Sequence, residues 1–281
     1  MDALPIEPLP RAEQRSNGRV ALILNPDYGR RVEQDDLFRL PDILRALPGR
    51  ESRRRGTVTS WLWRPAWHDG PGLRIRRYAH GGMWGGLAGT LFLGERRMHK
   101  ELQLSLHACR RGVPTAVPVA VRTARAWGPY VTAHFVSENV PDAVNLLELL
   151  ETVPALTAAR RRSLAKAIAS AVAAMHEAGI LHADLNLKNI LVRGAPDRPE
   201  AFVVDFDKSR LLVRLSLDQR MANLMRLERS VAKWPASRRA AGPMDCLRVL
   251  RAYLERDAEW RAHWGTIARR YARQSALRRS T

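Results

Sequence analysis

The sequence predicts an α+β fold with two lobes, of which the first is small and β-rich and the second is mainly α-helical. Short alternating apolar runs dominate up to about residue 140, and long runs with helical periodicity dominate after it. We therefore predict an N-terminal extension of unknown role over residues 1–50, a β-rich lobe over 51–140 and a helical lobe over 141–281. With 281 residues, 46% of them hydrophobic, the chain is long enough to bury a core.

In the first lobe, two short alternating runs at residues 57–63 and 73–78 flank a Gly- and Pro-rich stretch and predict a β-hairpin. Residues 91–111 carry apolar side chains at helical spacing and end before Gly and Pro, which predicts one helix. Two β-branched runs, 117–123 and 130–136, then predict two strands. The order is strand, strand, helix, strand, strand.

In the second lobe, residues 142–150 predict a short helix, and residues 157–178 predict a long helix with one buried face. Two short apolar runs follow, ILV at 190–192 and AFVV at 201–204, and both predict strands. From residue 217 onward the pattern is helical again.

The run ILHADLNLKNILV contains the pattern His-x-Asp-Leu-x-x-x-Asn, in which Asp184 precedes Asn189 by five residues. Sixteen residues after Asn189, the segment VVDFDKS places Asp205 at the end of a predicted strand. Phosphoryl transfer needs a base that orients the attacking hydroxyl and oxygen ligands that hold Mg²⁺ on the phosphates. The spacing predicts a protein-kinase-like fold with Asp184 as base and with Asn189 and Asp205 as magnesium ligands.

A simpler interpretation is that Asp184 and Asn189 only cap turns and that Asp205 only ends a strand. The order of the flanking elements, a helix before the loop and short strands after it, favours the catalytic interpretation. His182 is predicted to hold the loop backbone by hydrogen bonding instead of transferring protons.

At these residues the sequence resembles the 3-deoxy-D-manno-octulosonic acid (Kdo) kinase family of lipopolysaccharide core synthesis, whose members are similar to distant protein kinases. HADLN, NIL and DFD are the closest matches, and RRGTVTSWLW, RRYAHGGMWGGL and HKELQLSLHACRRGVPTAVPVA extend the resemblance over roughly residues 53–215. The resemblance implies ATP and Mg²⁺ as cofactors, and it implies a Kdo hydroxyl on a lipid A precursor as acceptor. It also implies that Glu101 is the glutamate of the small-lobe helix, and that Asp207 stands in the glycine place of the Asp-Phe-Gly motif.

No lysine precedes Lys100, so the strand lysine that steadies the nucleotide phosphates in protein kinases is missing. Arg76 is our candidate to pair with Glu101 and with the nucleotide; the alternative is an exposed strand arginine. The amides near Gly56 are predicted to cover the phosphates. A second glycine cluster at residues 81–86 is either a substrate-side element or a flexible loop. Trp84 and Trp127 are able to stack on sugar or adenine rings, but we favour the interpretation that they fill space between elements, and we assign them no role.

The chain carries a formal net charge of +19, with 42 arginines and five lysines. Such an excess suits nucleic acid, an anionic membrane face or a phosphorylated glycolipid, and a GC-rich genome also favours arginine. No nucleic-acid-binding motif accompanies the charge, so we expect no specific nucleic-acid contact. The predicted partners are the anionic glycolipid acceptor and an anionic membrane surface.

Cys109 and Cys246 lie far apart without metal-ligand spacing, which predicts neither a disulfide framework nor a zinc site. The N-terminus is unlike a secretory signal, and the sequence has no apolar run of 18 residues. We therefore expect a cytoplasmic protein, peripheral at the cytoplasmic face of the inner membrane. Two other functions stay open at this point: a kinase of the same fold acting on a core heptose, a small molecule or a protein, and a non-catalytic pseudokinase.

Overall fold

The structure is a computed structural model that describes residues 14–28, 34–51, 58–79, 89–152, 156–234, 237, 240–256, 265–269 and 273. By its internal contacts the chain forms two compact units. The β-rich unit comprises Pro5–Leu106 and Ala116–Pro141, and the helical unit contains His107–Thr115 and Asp142–Thr281. The predicted domain boundaries at residues 50 and 140 stay predictions.

The β-rich unit is built on one antiparallel sheet, and helices pack on both of its faces. Its elements in chain order are β1 (Gln14–Asn17), β2 (Val20–Leu24), α1 (Gln34–Phe38), α2 (Leu40–Ala46), β3 (Gly49–Glu51), β4 (Val58–Trp63), β5 (Leu73–Arg77), β6 (Phe92–Leu93), α3 (Arg96–Arg110), β7 (Pro118–Trp127) and β8 (Tyr130–Glu138).

The strands follow the order β1-β2-β7-β8-β5-β4-β3, and the short strand β6 also pairs with β8. The predicted hairpin of β4 and β5 is present, with Arg76 opposite Ser60 on one side and opposite Phe135 of β8 on the other. Because residues that lie opposite each other share a face of the sheet, this register fixes which strand residues face α3.

Each face of the sheet covers its own apolar core. On one face, Leu22 and Leu24 of β2 pack with Leu37 and Leu40 of the two small helices. The other face meets α3, where Tyr78, Phe92, Phe135, Met98 and Leu102 form a second cluster. Helix α3 begins at Arg96, later than the predicted residue 91, because Phe92–Leu93 pairs with β8 and Gly94 takes a positive φ of 67°.

The described part of the predicted N-terminal extension belongs to this sheet and its core. Strand β2 pairs with β7 over its whole length, from Val20 opposite Ala124 to Leu24 opposite Ala120. Leu22, Leu24, Leu37 and Leu40 are fully buried. The apolar run at 20–24 thus lies between β1, its neighbour in the sequence, and β7, which is distant in the sequence.

The helical unit carries three helices of twelve or more residues and two small sheets among its described residues. Its elements are β9 (Val144–Asn145), α4 (Leu146–Thr152), α5 (Ala158–Glu177), β10 (Ile180–Leu181), a 3-10 helix (Leu187–Asn189), β11 (Ile190–Arg193), β12 (Glu200–Val203), β13 (Arg210–Leu211), α6 (Leu217–Lys233) and α7 (Pro243–Leu254). The small sheets have the orders β10-β13 and β12-β11-β9.

The ends of the long helices are set by local sequence. The Thr157 side chain accepts a hydrogen bond from the Arg160 amide at the start of α5, and Ser216 and Gln219 form a reciprocal capping box at the start of α6. Gly179 follows α5 with a φ of +77°, and a Cβ at this position would lie 2.3 Å from the Leu212 carbonyl oxygen. The chain therefore turns sharply there into the polar loop.

Within the residues that the structure describes, no helix combines the length and the apolar character needed to cross a bilayer.

Candidate active site

The loop after α5 exposes the Asp184 side chain and buries the leucines beside it. Leu185 and Leu187 are 0% and 2% exposed, whereas Asp184 is exposed. The two leucines lie two residues apart, with Asp184 just before the first of them. The apolar side chains therefore anchor the loop in the helical unit, and the carboxylate points toward solvent.

Three side chains from two later segments hold the backbone amides of this loop. The Asn223 Oδ1 atom on α6 accepts from the His182 amide at 3.0 Å, and its Nδ2 donates to the His182 carbonyl at 2.9 Å. The Ser209 hydroxyl accepts from the Ala183 amide at 3.1 Å, and the Ser230 hydroxyl accepts from the Leu187 amide at 3.1 Å. Fixed in this way, the loop backbone presents Asp184 in one position.

Within the loop, short-range hydrogen bonds complete the arrangement. The side-chain amides of Asn186 and Asn189 both donate to the Asp184 carbonyl, at 3.0 and 2.9 Å. Asn186 also caps the 3-10 helix by accepting from the Lys188 amide at 2.8 Å. Because the Asn189 amide nitrogen is directed at the loop, its amide oxygen points the other way.

The Val204 peptide connects the loop to the segment that carries Asp205. The Val204 amide donates to the Asn189 carbonyl at 3.0 Å, and the Val204 carbonyl accepts from His182 Nε2 at 3.2 Å. These two bonds bring Asp205, the next residue, to the same side of the helical unit as Asn189. The structure therefore brings Asp184, Asn189 and Asp205 together within one unit.

Asp205 has a φ of +68°, in the left-handed region that non-glycine residues rarely adopt. Such a conformation costs on the order of 1 kcal/mol, although Asp tolerates it better than most residues. The buried Phe206 follows it, 1% exposed, with its ring 5.6 Å from that of His182. Packing of Phe206 and the two hydrogen bonds to Val204 therefore hold Asp205 in its strained conformation. Strained backbone conformations of this kind occur most often at functional sites.

His182 is neutral in this arrangement. Burial lowers its pKa, and the hydrogen bond to Val204 and the nearby Asp205 and Asp184 only partly offset that effect. Its Nδ1 accepts from the Asp184 amide at 3.0 Å, so the proton resides on Nε2, which donates to Val204. Both ring nitrogens are used on backbone groups, which fits the predicted positioning role and not proton transfer.

A buried polar chain supports Asn223 from behind. Tyr253 of α7 lies 2.8 Å from His176 Nδ1, and His176 Nε2 lies 3.2 Å from Asn223 Oδ1. Burial lowers the pKa of His176 to about 3 despite the bond to Asn223, so the imidazole is neutral and donates one proton to Asn223. Arg220 donates to the Tyr253 hydroxyl at 3.3 Å. Three helices are thereby linked to the loop.

In the β-rich unit, Arg76 of β5 forms an ion pair with Glu101 of α3. The Glu101 side chain is 1% exposed and also accepts a hydrogen bond from the Tyr78 hydroxyl, while the Arg76 side chain is 29% exposed. The guanidinium lies 4.7 Å from the Tyr78 ring centre and 5.6 Å from that of Phe135. Two aromatic rings and a buried carboxylate therefore fix the arginine on the strand.

Several other predicted residues can be placed, and some lie outside the described residues. Gly56, Trp84 and the glycine cluster at 81–86 are among the latter. Lys188 lies over the Trp234 ring at 4.8 Å. Trp127 was predicted to fill space between elements, but this is wrong, because it stands at the end of β7 with 75% of its surface exposed.

Oxygen donors at the loop suit a magnesium ion that also binds phosphate. In the described part of the chain no three His, Cys, Asp or Glu residues cluster as a metal site would require. Mg²⁺ bound to a nucleotide takes one or two protein oxygens and completes its shell with phosphate oxygens and water. One carboxylate from Asp205 and one amide oxygen from Asn189 fit that requirement.

A family model described as the lipopolysaccharide kinase (Kdo/WaaP) family matches residues 50–253. The chain belongs to this family. The predicted resemblance is confirmed, and the matched region includes the loop, Asp205, Arg76 and Glu101.

Relatives within the Kdo/WaaP family carry the name 3-deoxy-D-manno-octulosonic acid kinase. The Vibrio parahaemolyticus serotype O3:K6 protein is 34% identical over 163 residues, which cover 57% of this chain and 64% of that protein. The Vibrio cholerae serotype O1 protein is 30% identical over 183 residues, which cover 64% of this chain and 73% of that protein. The chain thus spans just under two thirds of the length of the first of these relatives.

A solved structure described as WaaP in complex with acyl carrier protein superposes with a TM-score of 0.55. The match covers 91% of this chain and 98% of that one at 21% sequence identity. At that sequence identity the match supports the fold alone. The predicted kinase-like α+β fold of this Kdo/WaaP family member is confirmed.

The sequence did not reveal the side chains that hold the loop. Asn223, Ser209 and Ser230 lie 41, 26 and 43 residues beyond the amides that they contact, and each is a common residue type in proteins. One feature of the sequence did indicate a supporting role for Asn223. It is a polar residue that directly precedes Leu224 in α6, on the side of the helix that the apolar pattern assigns to the core. Tyr78, which supports Glu101, gave no such indication.

Proposed function

We propose that the chain is an ATP-dependent phosphotransferase that phosphorylates a Kdo sugar hydroxyl of the lipid A/lipopolysaccharide inner core. The observation that carries this proposal is the exposed Asp184 on a loop whose backbone bonds lead directly to Asn189 and Asp205. Membership of the Kdo/WaaP family supports the reaction class, and the names of the relatives support the acceptor.

In this reaction the acceptor hydroxyl attacks the γ-phosphorus of ATP, and the bond from that phosphorus to the bridging oxygen breaks to release ADP. We assign to Asp184 the role of orienting the hydroxyl and accepting its proton. An exposed carboxylate on a fixed backbone is suited to this role, because its direction is set before the acceptor binds. His182 keeps that direction by holding the Asp184 amide and the Val204 carbonyl.

Asn189 and Asp205 would hold Mg²⁺, which when bound supplies positive charge to the phosphates. The role of the chain is to aim two oxygens of suitable chemistry. Asn189 is aimed by the bond from its Nδ2 to the Asp184 carbonyl, and Asp205 is aimed by its left-handed backbone. An Asn189 whose nitrogen is already engaged is pre-organised to offer its oxygen.

Within the β-rich unit we assign nucleotide-phosphate binding to Arg76, with Glu101 as the residue that orients it. Arginine has five N–H donors in a rigid fork, and the terminal nitrogen Nη2 of Arg76 donates to Glu101. A permanently charged guanidinium fixed by Glu101 and Tyr78 can perform the phosphate-steadying task of the missing lysine. Gly56, which the sequence assigned to the same task, lies outside the described residues.

The acceptor that we propose is an anionic glycolipid, and the location is the cytoplasmic face of the inner membrane. Kdo carries a carboxylate and lipid A carries phosphates, so the net charge of +19 favours association with both the acceptor and an anionic leaflet. The proposed cofactors are ATP and Mg²⁺, as the resemblance implied.

The test is transfer of labelled phosphate from ATP in the presence of Mg²⁺ to separate Kdo-lipid and heptose-containing acceptors. We expect phosphate on the Kdo lipid, and we expect Asp184→Asn to lower kcat by about 10²- to 10⁴-fold because it removes the base. The matched control is Asp197→Asn, which changes an exposed aspartate between β11 and β12 and should leave kcat unchanged. Phosphate on the heptose acceptor alone, or full activity of Asp184→Asn, would contradict the proposal.

A further inference from the structure

Four apolar side chains are exposed together at one end of the β-rich unit. Trp127 is 75% exposed, Leu93 is 74% exposed, Leu91 is 39% exposed and Tyr130 is 36% exposed. They are four of the six large hydrophobic side chains that are exposed in the described part of the chain. We refer to these four residues as the apolar tip.

Strand pairing brings the apolar tip together. Trp127 lies opposite Tyr130 where β7 turns into β8, and Leu93 of β6 lies opposite Tyr130 on its other side. The rings of Trp127 and Tyr130 are stacked, with centroids 5.8 Å apart and planes 6° apart. Gly94 donates to the Pro129 carbonyl at 3.1 Å, which ties β6 to the turn. The tip is therefore an ordered surface and not a set of separate side chains.

The outward direction of these residues is enforced by the sheet. Phe92 and Val131 alternate with Leu93 and Tyr130 along the same strands, and both are buried at 5% exposure in the core under α3. Turning Leu93 or Tyr130 inward would turn a core residue outward. The exposure of the tip is therefore a fixed consequence of the strand register.

The charged residues in the chain segments next to the tip are mostly basic. Arg19, Arg125, Arg96 and Lys100 are exposed, and the Arg125 amide donates to the Arg19 carbonyl at 2.8 Å, which places those two side by side. Glu95 is the one acidic residue in the neighbouring segments 16–19, 89–100 and 123–132. Its carboxylate accepts from Thr123 at 2.6 Å and lies 3.6 Å from His99.

We propose that the apolar tip inserts into the interfacial region of an anionic bilayer while the surrounding cations contact lipid phosphates. Tryptophan and tyrosine favour the headgroup level of a membrane, because one part of the ring system is apolar and another is polar. Leucine side chains beside them add apolar area, and basic residues around them add attraction to anionic lipid. This inference rests on the peripheral membrane location proposed above, and it identifies the surface that contacts the membrane.

The combination of shape and charge favours a bilayer over a protein partner. The tip consists of a hairpin turn and one two-residue strand, whereas a stable protein interface takes about 800 Å² from each partner. A bilayer needs no matching shape, and a rim of four exposed cations complements an anionic surface.

The experiment is co-sedimentation of the full chain with vesicles of phosphatidylcholine, either alone or mixed with phosphatidylglycerol. We expect the parent chain to bind the anionic vesicles at least ~10-fold more tightly than the neutral ones. The double variant Trp127→Ser/Leu93→Ser is expected to bind the anionic vesicles ~10-fold more weakly than the parent. The matched control is Val213→Ser/Met244→Ser, which removes two other exposed apolar side chains, 66% and 60% exposed, in the helical unit. It should bind like the parent.

Both side chains of the double variant are largely exposed, so it should unfold at the same urea concentration as the parent. Unchanged vesicle binding by the folded double variant would overturn the inference, as would equal binding of the parent to neutral and anionic vesicles. Size-exclusion chromatography provides a further test. If the parent self-associates with concentration, the double variant does not, and the parent does not bind vesicles, then the tip is a protein interface and the inference is wrong.

The proposed function can fail separately from this inference. Phosphate transfer to a detergent-dispersed Kdo lipid does not require a membrane surface, so the double variant should retain it. If every variant lacks that activity while the double variant still loses vesicle binding, the membrane surface stands and the acceptor assignment is wrong.

Discussion

The Asp184 and Arg76 side chains lie in different units, and each is positioned by neighbouring groups of its own unit. Asp184 is oriented through its backbone by His182 and by the two asparagines of the loop. Arg76 is oriented through its side chain by Glu101 and two aromatic rings. In both cases the positioned side chain is at least partly exposed, whereas the residue that positions it, His182 or Glu101, is buried.

Replacing Arg76 tests whether it serves in place of the missing lysine. Arg76→Lys keeps the charge but loses the fork, so we expect the KM for ATP to rise about 10-fold with the fold intact. Arg76→Met removes the ion pair of the buried Glu101 carboxylate, which should lower the free energy of unfolding by about 2 to 3 kcal/mol. Steady-state kinetics and urea unfolding measure the two effects.

The matched control for this position is Arg74→Met, because Arg74 lies two residues away on the same face of β5 and donates to Asn139 at 3.1 Å. It should leave the KM for ATP unchanged. The double variant Arg76→Met/Glu101→Gln should regain stability without regaining ATP affinity. Normal ATP affinity in Arg76→Met would remove Arg76 from the nucleotide site.

At the scale of elements, the long helices of the helical unit serve as the scaffold of the loop. Helix α5 delivers the chain to the loop at Gly179, α6 holds the loop through Asn223 and Ser230, and α7 supports Asn223 through Tyr253 and His176. An apolar cavity of about 680 Å³, measured with its open mouth, lies among α4 to α7 and is lined by leucines of all four helices. The loop geometry therefore depends both on the hydrogen bonds of Asn223 and Ser230 and on the apolar packing among the helices.

Asn223 is the residue at which this dependence can be measured. Asn223→Ala removes two bonds to His182 and one to His176, and we expect kcat to fall by about 10- to 100-fold and stability to fall by about 2 to 3 kcal/mol. The KM for ATP should change little, because Arg76 and Glu101 are untouched.

Arg229→Ala, an exposed change on the same helix, is the control and should leave both kinetic constants unchanged. The assay belongs at a temperature where the variant is folded by circular dichroism. If Asn223→Ala lowered stability but kept the parent kcat under those conditions, Asn223 would stabilise the helices without positioning the loop.

At the scale of the whole molecule, three buried neutral histidines make stability depend on pH. Burial lowers the pKa of His134 to about 4, with Arg122 and Arg77 adding to the shift, and lowers that of His176 to about 3; the pKa of His182 is lowered too. When the folded pKa lies below the unfolded value near 6.5, the unfolded chain binds protons first as the pH falls. The stabilising contribution is therefore complete above about pH 6.5 and is lost progressively toward the folded pKa values.

We expect the free energy of unfolding to fall between pH 6.5 and pH 4, with His134 and His176 each contributing about 2 kcal/mol of loss by pH 5 and His182 adding in the same direction. His134→Leu should reduce that loss by about this amount, because it removes one group that only the unfolded chain protonates. Urea unfolding at pH 7.5 and pH 5 measures the difference. The control is Phe135→Leu, a core change without a titratable group, which should lower stability equally at both pH values. If His134→Leu showed the same pH dependence of stability as the parent, His134 would not be involved.

Local sequence was sufficient to predict the two-lobed α+β fold, most strands and helices, and the loop that carries Asp184 and Asn189; the roles assigned to these residues stay predictions. It was sufficient because apolar periodicity, glycine at helix ends and the spacing of Asp184, Asn189 and Asp205 are all properties of short stretches of chain. The same reasoning paired Arg76 with Glu101, since the chain offers no lysine in the first 99 residues.

Only the tertiary structure decided how those residues are held and which surfaces are exposed. Asn223 and Ser209 contact the loop from 41 and 26 residues away, and the 20–24 run pairs with β7, which is distant in the sequence. Trp127 faces outward with Tyr130 and Leu93 because the strand register places Val131 and Phe92 in the core. Each of these contacts joins parts of the chain that are far apart in sequence. Their formation depends on how helices and strands pack, which no single stretch of sequence encodes.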